Sequence, residues 1–541
     1  MFKRKKLFIF SLTISSLAIS STLVLLSSCA STSNVVYPKT SEWNKSTNNY
    51  EKYINENELS LVFLSDPDES YVKSQLQKYI TLANSNNDTT ISKVLGYFDS
   101  IISPFNNPNS SLNSSNLSLY NFEMGTGWIF DYSLNTNSKI TDYYIATNMH
   151  VLDCSYKYEI NGTTKSNINY TIDIKFPINS TSTKAFNAFF SQPSSDLQLK
   201  ANDDMNLFTK WYLTNLNKDN INQNIIPLGA LNKNGVVQKN GYTTEMQLSI
   251  ATTNNNININ GVPLQSEANY YFYNNGYTTK LENVVSSSTP TTDISLLKVS
   301  LDSSKIAPYS PIYLNDNKVK SIFQNIQTMF DTNVNLDTVN KKSSYIARLA
   351  KLIDLTTKNK ENSDEFNDLF LFSDFKEVGQ GNGTISIVGF PGYQPNSNEV
   401  YSRFNCNTAS NSLVQTKDNS PELFNSLKTI RPYIEVNYNG SFFNSIYDYQ
   451  NNCFVSGFNL QPGSSGSMAM NSDYKIAGIY WGIISQTGSN NVKTSGAISG
   501  IYSKTDPNCI LFRYLKYANI NVPNSQLLKL FTNLNNNGYF K

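Results

Sequence analysis

Histidine is the scarcest residue of this 541-residue chain, because it occurs once, as His150. Cysteine is also sparse, and no two cysteines form a Cys-x-x-Cys pair. The five cysteines are Cys29, Cys154, Cys406, Cys453 and Cys509. Zinc sites require clustered Cys and His ligands, so we expect no metal site. The four later cysteines could form two disulfides in three alternative pairings, and the spacing does not choose among them.

Charged residues make up only 16% of the chain, and the net charge is +2. The only charges in residues 1–28 are Lys3, Arg4, Lys5 and Lys6, and without them 39 basic residues face 41 acidic ones. Proteins that bind nucleic acid need a basic surplus to neutralise phosphates. We therefore expect no nucleic-acid partner.

Long apolar runs are absent after the N-terminus, where one extends from Leu7 to Leu26 behind the basic residues. This arrangement is typical of an export signal. The following Leu26-Ser27-Ser28-Cys29 resembles a bacterial lipoprotein box, which predicts cleavage before Cys29 and lipidation of its sulfur. Two acyl chains suffice for stable anchoring. The alternative is an uncleaved transmembrane anchor, and either arrangement places the rest of the chain outside the cell.

Four short patterns surround residues capable of nucleophilic catalysis. A Gly-Thr-Gly turn at 125–127 precedes a β-prone run ending in His150, and Asp293 opens an apolar strand at 292–299. Ser465 lies in the Gly/Ser-rich turn 463–467. Serine needs a base within hydrogen-bond reach and backbone donors for the oxyanion. Each pattern alone also fits an ordinary loop or a core histidine, but the order His, Asp, Ser is that of the chymotrypsin-type triad.

These segments resemble the motifs of trypsin/chymotrypsin-fold serine proteases. Residues 146–150 are similar to Thr-Ala-Ala-His, 293–297 to Asp-Ile-Ala-Leu-Leu, 463–467 to Gly-Asp-Ser-Gly-Gly, and 479–482 to Val-Ser-Trp-Gly. Together with the lipoprotein leader, the chain most resembles the mycoplasma immunoglobulin protease family. The resemblance covers about half of the chain by its motif-bearing segments.

The resemblance assigns a role to each of these residues. Ser465 would be the nucleophile, His150 the general base and then acid, and Asp293 the residue that orients the imidazole. The oxyanion hole would consist of the backbone N–H groups of Gly463 and Ser465.

The substrate pocket is expected at three further residues. Asn459 would form its base, Trp481 a wall and Gly482 an open mouth. The base lacks the acidic residue that would receive Arg or Lys, which favours uncharged side chains. Ser464 stands where trypsin-like enzymes have Asp, which argues against activation by a new N-terminus.

The chain is long enough for two or three domains. The predicted fold class is mainly β with helical additions, a trypsin/chymotrypsin-like double β-barrel with insertions. Its expected parts are the signal peptide 1–28, the flexible tether 29–45, an N-terminal helical region 46–118, the first protease barrel with insertions 119–300, a helical insert 301–380, the second barrel 381–505 and C-terminal helices 506–541.

The interpretation is a lipid-anchored serine endopeptidase on the outer face of the cell membrane. No cofactor is implied. By the family resemblance, the substrate would be a host protein such as immunoglobulin heavy chain, with delivery by a separate antibody-binding lipoprotein left open. The alternatives are a protease-fold surface binding protein or adhesin without activity, and a solute-binding lipoprotein.

Overall fold

A computed structural model describes the protein in separate stretches. Side chains are described mainly over 57–59, 125–134, 142–152, 225–237, 292–300, 332–378, 385–387, 452–455, 463–482 and 495–540, and further strands are described by their backbone. We refer to these residues as the described part of the chain. It is mainly β with few helices, which confirms the predicted class at that level.

Strands dominate the described part. In chain order to residue 191 they are β1 (Leu23–Ser27), β2 (Glu58–Pro67), β3 (Leu117–Tyr120), β4 (Phe122–Leu134), β5 (Ile140–Thr147), β6 (Cys154–Ile160), β7 (Tyr170–Phe176) and β8 (Thr183–Ser191). From there to residue 302 they are β9 (Trp211–Tyr212), β10 (Ile225–Ile226), β11 (Thr243–Thr252), β12 (Ile257–Ile259), β13 (Val262–Leu264), β14 (Glu267–Tyr273), β15 (Gly276–Thr278), β16 (Pro290–Thr291) and β17 (Ser295–Asp302). The later strands are β18 (Ile385–Gly389), β19 (Phe404–Ala409), β20 (Val414–Gln415), β21 (Tyr433–Tyr438), β22 (Ser441–Tyr447), β23 (Asn452–Ser456), β24 (Met468–Asn471), β25 (Ile476–Thr487) and β26 (Val492–Gly500).

Helices occur in two groups, one between β17 and β18 and one after β26. In the described part of the chain the α-helices are α1 (Tyr345–Thr357), α2 (Asp364–Leu369), α3 (Ile510–Asn521) and α4 (Gln526–Asn536). Short 3₁₀ helices cover Met149–Leu152, Leu228–Ala230, Leu336–Thr338 and Phe375–Glu377. Helices α1 and α2 lie within 301–380 and helices α3 and α4 within 506–541, the two ranges for which helices were expected.

One seven-stranded sheet carries His150 at the end of a central strand, and we call it the histidine sheet. Its strand order is β10-β17-β5-β4-β2-β8-β9. Strand β5 is central because both faces are apolar: Tyr144, Ile145 and Ala146 are all buried. Its neighbour β17 is antiparallel, with Ser295 opposite Thr147. The turn before β17 therefore meets the C-terminal end of β5.

A second sheet carries the serine turn, and we call it the serine sheet. Its main order is β19-β18-β24-β25-β26-β23-β20, and β1 pairs with the far part of β25. The turn 463–467 leads directly into β24, which pairs with β25 through Met468 and Ile479. Both residues are fully buried, so the strand that follows the turn is anchored in apolar core.

A nine-stranded sheet joins distant parts of the chain. Strand β22 pairs with β11 and β16, although it belongs to the region expected to form the second barrel. This sheet therefore combines strands from the two ranges expected as separate barrels, 119–300 and 381–505. Long-range strand pairing of this kind leaves no local signal, since β propensity depends on packing against whichever neighbour is present. Strands β12 and β13 form a separate two-stranded hairpin.

The region 46–118 contributes a strand as well as helical residues. Strand β2 lies between β4 and β8 in the histidine sheet, whereas Ser70, Ser74 and Thr81 are helical. Leu59 and Leu61 alternate with polar residues and are fully buried, which is the period of a strand. The expectation of an N-terminal helical region at 46–118 did not include this strand.

Helix α1 contacts β4 of the histidine sheet and helix α4. Ser344 begins it, and the Ser344 hydroxyl accepts a hydrogen bond from the N–H of Ala347, as N-cap residues do. The guanidinium of Arg348 is 1% exposed and donates to the carbonyls of Leu369 and Tyr474 at 3.0 and 2.7 Å. Helix α1 is therefore hydrogen-bonded to the turn between β24 and β25, and β24 directly follows the serine turn.

The C-terminal helices are attached to the histidine sheet by a buried carboxylate. Asp131 of β4 accepts hydrogen bonds from the hydroxyls of Tyr514 and Ser525 at 2.7 and 2.5 Å, and from the N–H of Leu527 at 3.0 Å. Burial raises the pKa of Asp131, while these donors and the N–H of Tyr132 oppose the rise. Helices α3 and α4 thus close the larger hydrophobic core.

Two of the four later cysteines are free and buried, Cys453 and Cys509. Burial raises the pKa of the Cys453 thiol to about 12. The side chains of Cys154 and Cys406 lie outside the described part, as does Cys29. Among the helices that the structure describes, none combines the length and apolar character needed to span a bilayer.

Candidate active site

His150 lies where β5 gives way to a 3₁₀ turn. Strand β5 ends at Thr147, and the chain then turns through Met149–Leu152. Met149 and Val151 are buried, whereas the His150 side chain keeps 23% exposure. The apolar neighbours fix the turn and leave the imidazole partly exposed.

Asp293 is in direct contact with the imidazole. Its Oδ2 lies 2.5 Å from Nδ1 of His150, and its side chain is fully buried. Its Oδ1 accepts from the N–H groups of Met149 and His150 at 2.7 and 3.3 Å. A buried carboxylate is tolerated where donors surround it. These donors also fix the orientation of the carboxylate toward the ring.

The backbone around Asp293 is fixed as well. Asn148 Nδ2 donates to its carbonyl at 2.5 Å, and Gly229 N–H donates to the carbonyl of Ile294 at 2.8 Å. A side chain at Gly229 would lie 1.7 Å from the carbonyl oxygen of Thr292. Only glycine allows this close approach, so residue 229 supports the turn that presents the carboxylate.

The Ser465 turn depends on two glycines with positive φ. Gly463 has φ 97° and Gly466 has φ 94°, conformations that other residues rarely adopt. Ser467 closes the turn by donating from its N–H and hydroxyl to the carbonyl of Ser464 at 3.1 and 2.6 Å. Ser465 is 4% exposed. The turn is therefore a fixed structure rather than an ordinary polar loop.

The serine turn rests on the histidine sheet through Thr126. Thr126 N–H donates to the carbonyl of Ser465 at 2.8 Å, and its hydroxyl donates to the carbonyl of Gly463 at 3.0 Å. Thr147 in turn donates to the carbonyl of Thr126 at 2.8 Å, three residues before His150. A side chain at Gly466 would lie 2.5 Å from the Thr147 hydroxyl. The serine turn and the end of β5 are thus in contact.

The remaining contact of a triad would join the Ser465 hydroxyl to the imidazole. Within the described part of the chain, no hydrogen bond is recorded between Ser465 and the ring of His150. The structure thus joins His150 to Asp293 directly, and brings the Ser465 backbone to the same strand ends through Thr126 and Thr147.

Three backbone N–H groups of the turn 463–467 have no acceptor within the described part of the chain. They belong to Gly463, Ser464 and Ser465, whereas the Gly466 N–H donates to the carbonyl of Tyr480 at 2.9 Å. Buried N–H groups are normally paired. Two of the three, at Gly463 and Ser465, are the donors expected to bind a negatively charged oxygen.

The expected pocket residues have different surroundings. Trp481 is 3% exposed, and its indole N–H donates to Oδ1 of Asn452 at 3.3 Å. Gly482 is buried, and Asn459 lies outside the described part. The Ser499 hydroxyl also donates to Asn452, at 2.6 Å. Trp481 is therefore held in a hydrogen-bonded group within the serine sheet.

Sequence reasoning missed the residues that join the two sheets here. Thr126, Thr147 and Glu58 contact the serine segment or its support from hundreds of residues away, and spacing gives no signal for such contacts. The Gly-Thr-Gly motif at 125–127 predicts a turn before a strand, but nothing in the motif indicates that Thr126 binds the serine turn.

A scan against protein families gives a match over most of the chain. The model described as "Mycoplasma immunoglobulin protease" matches residues 102–482. That range contains His150, Asp293 and Ser465. The class is therefore a protease, and the chain belongs to the mycoplasma immunoglobulin protease family. No curated protein and no solved structure matches it in the other two comparisons.

Proposed function

We propose that the protein is a serine endopeptidase in which Ser465, His150 and Asp293 form a catalytic triad. The observation that carries the proposal is the 2.5 Å contact between His150 Nδ1 and Asp293 Oδ2, at a strand end in contact with the Ser465 turn. His150 takes the serine proton through Nε2 and later returns it to the leaving amine. Asp293 holds the ring and stabilises its charged form.

The oxyanion of the tetrahedral intermediate binds to the N–H groups of Gly463 and Ser465. Each such donor contributes about 3 kcal/mol in comparable sites. The hydrogen bond between serine and histidine is often long without substrate, so its absence here is compatible with the assignment. We further propose that the sheets form the insertion-rich double barrel of trypsin-like enzymes, since the order of these elements along the chain is theirs.

The proposed setting is the outer face of the cell membrane, with lipid attached to Cys29. The lipoprotein-like leader supports this proposal. Because the chain belongs to a family described as immunoglobulin proteases, we propose immunoglobulin heavy chain as the substrate, with Asn459, Trp481 and Gly482 around the side chain that precedes the cleaved bond.

A fluorophosphonate probe tests the nucleophile. The full-length chain, purified in mild detergent, should be labelled at Ser465, and peptide mapping identifies the site. Ser465→Ala and His150→Ala should abolish the label. Ser464→Ala is the matched control, since its hydroxyl is buried without a hydrogen-bond partner in the described part, and it should retain the label.

Immunoglobulin supplied to the same proteins tests the substrate. Wild type and Ser464→Ala should produce heavy-chain fragments, and the other two variants should not. Absence of label on wild type would favour a protease-fold binding protein instead. Label without heavy-chain cleavage would keep the hydrolase and remove the substrate assignment.

A further inference from the structure

Glu58 and Thr126 are buried residues on one face of the histidine sheet. They contact residues 463–468, which we call the serine segment, on both sides of Ser465. Strands β2 and β4 pair with Glu58 opposite Trp128 and Ser60 opposite Thr126. Directly opposed residues share a face, and so do residues two positions apart. Glu58 and Thr126 are therefore on the same face, and both are fully buried.

Thr126 and Glu58 bind different backbone groups of the serine segment. Thr126 binds the carbonyls of Gly463 and Ser465, as described above. Glu58 Oε1 accepts the N–H of Met468 at 2.6 Å, at the first residue of β24. The six residues from 463 to 468 are thus held at three backbone groups by one pair of strands.

These hydrogen bonds determine which backbone N–H groups of the serine segment stay available to bind an oxyanion. The peptide after Ser465 is held at both ends, because its carbonyl accepts from Thr126 and its Gly466 N–H donates to Tyr480. The contact from Glu58 stops the next strand from sliding relative to the turn. The N–H groups of Gly463 and Ser465, like that of Ser464, have no acceptor within the described part of the chain, so they remain available for an oxyanion.

A carboxylate at this position calls for a specific reason. Burial of a charged group is costly, and an amide could also accept one hydrogen bond. A carboxylate forms a stronger and shorter bond to a backbone N–H. Glu58 also lies before residue 102, where the family match begins, so this contact comes from the N-terminal part of the chain.

We propose that Glu58 and Thr126 are positioning residues, which fix the serine segment so that the Ser465 hydroxyl and the two oxyanion donors are correctly placed. This inference depends on the proposed function. The N-terminal strand β2 is accordingly part of the active unit rather than an appendage.

Substitutions that remove one acceptor or donor at a time test the inference. Glu58→Met keeps the length of the side chain and removes the acceptor, whereas Glu58→Gln keeps an acceptor oxygen. Thr126→Val removes the hydroxyl donor, whereas Thr126→Ser keeps it. Asn57→Ala is the matched control at the residue immediately before β2, because its Oδ1 accepts from the N–H of Tyr345 at 2.9 Å rather than from the serine segment.

The measurements are the fluorophosphonate labelling rate at Ser465 per folded molecule, and kcat and KM for a cleaved peptide. Glu58→Met and Thr126→Val should lower the labelling rate and kcat about tenfold to a hundredfold, the range expected for a small misplacement of reacting groups. KM should change little. Glu58→Gln and Thr126→Ser should recover most of the rate. Asn57→Ala should lower the melting temperature without changing the labelling rate.

The outcomes separate this inference from the proposed function. If wild type is not labelled, the proposed function fails. If wild type is labelled and all folded variants react at the wild-type rate, the positioning role is wrong while the protease assignment stands. If Glu58→Met does not fold, the Thr126→Val and Thr126→Ser pair decides, because equal rates in that pair would overturn the inference.

Discussion

Replacement of Asp293 by asparagine should nearly abolish catalysis while leaving the fold intact. The two carboxylate oxygens have different partners: Oδ1 accepts the N–H groups of Met149 and His150, and Oδ2 faces Nδ1 of the imidazole at 2.5 Å. An amide has one acceptor and one donor. The two backbone donors require its oxygen at the Oδ1 position, so its NH₂ must face Nδ1.

That orientation changes the tautomer of His150. Nδ1 must then accept a hydrogen bond, which places the proton on Nε2, where it cannot receive the proton of Ser465. In the well-studied Ser-His-Asp triad this change lowers kcat about 10⁴-fold. At 1.36 kcal/mol for each factor of ten, the barrier rises by about 5.4 kcal/mol. The melting temperature should change little, because the backbone donors keep their acceptor.

The assay is the labelling rate at Ser465 together with peptide hydrolysis, for wild type and Asp293→Asn. The control is Asp142→Asn on neighbouring β5, where a partly exposed carboxylate lies 3.1 Å from Lys298 and such pairs contribute little. The control should retain nearly full activity. An Asp293→Asn protein that stays folded and reacts within about tenfold of wild type, against the 10⁴-fold loss expected, would refute the role of Asp293 as orienter.

Two further predictions concern the turn and the C-terminal helices. Gly466→Ala should abolish labelling and lower the melting temperature, because a side chain there would lie 2.0 Å from the Thr126 carbonyl oxygen in a backbone conformation with φ 94°; normal labelling would show that the turn adapts. Asp131→Asn should reveal a pH-dependent stability. Burial raises the pKa of Asp131 in the folded state above its unfolded value of about 3.9. The protonated carboxyl group therefore makes its full contribution to the free energy of unfolding below the unfolded pKa. That contribution falls by about 1.4 kcal/mol per pH unit as the pH rises from the unfolded pKa to the folded pKa. Urea unfolding from pH 4 to 8 should show the stability advantage of wild type over the variant shrinking, and a growing advantage would mean that the donors hold the carboxylate ionised.

The features that could be predicted from the sequence have short-range causes. The run ending in His150 is a strand because its apolar residues are continuous, and α1 and α4 begin at the serines that cap them, Ser344 and Ser525. The pairing of Asp293 with His150 was inferred from the order of motifs, a comparison rather than a calculation. The strand and helix signals lie within a dozen residues of the feature they predict, whereas the order of motifs is a resemblance to a known family.

The features that could not be predicted have causes far along the chain. Glu58 and Met468 are 410 residues apart, and Thr126 and Gly463 are 337 apart. Strand β22 pairs with strands that precede it by more than a hundred residues. Periodicity records which face of a strand is apolar, but not which partner covers it.

The Asp131 contacts also bear on the order of events during synthesis. The ribosome completes β4 long before it reaches Tyr514, Ser525 and Leu527, whose groups surround that carboxylate. Until residues 514–527 emerge, the carboxylate must stay hydrated and the strand cannot settle into its final environment. Maturation of the histidine sheet is therefore coupled to the synthesis of a segment almost four hundred residues later in the chain.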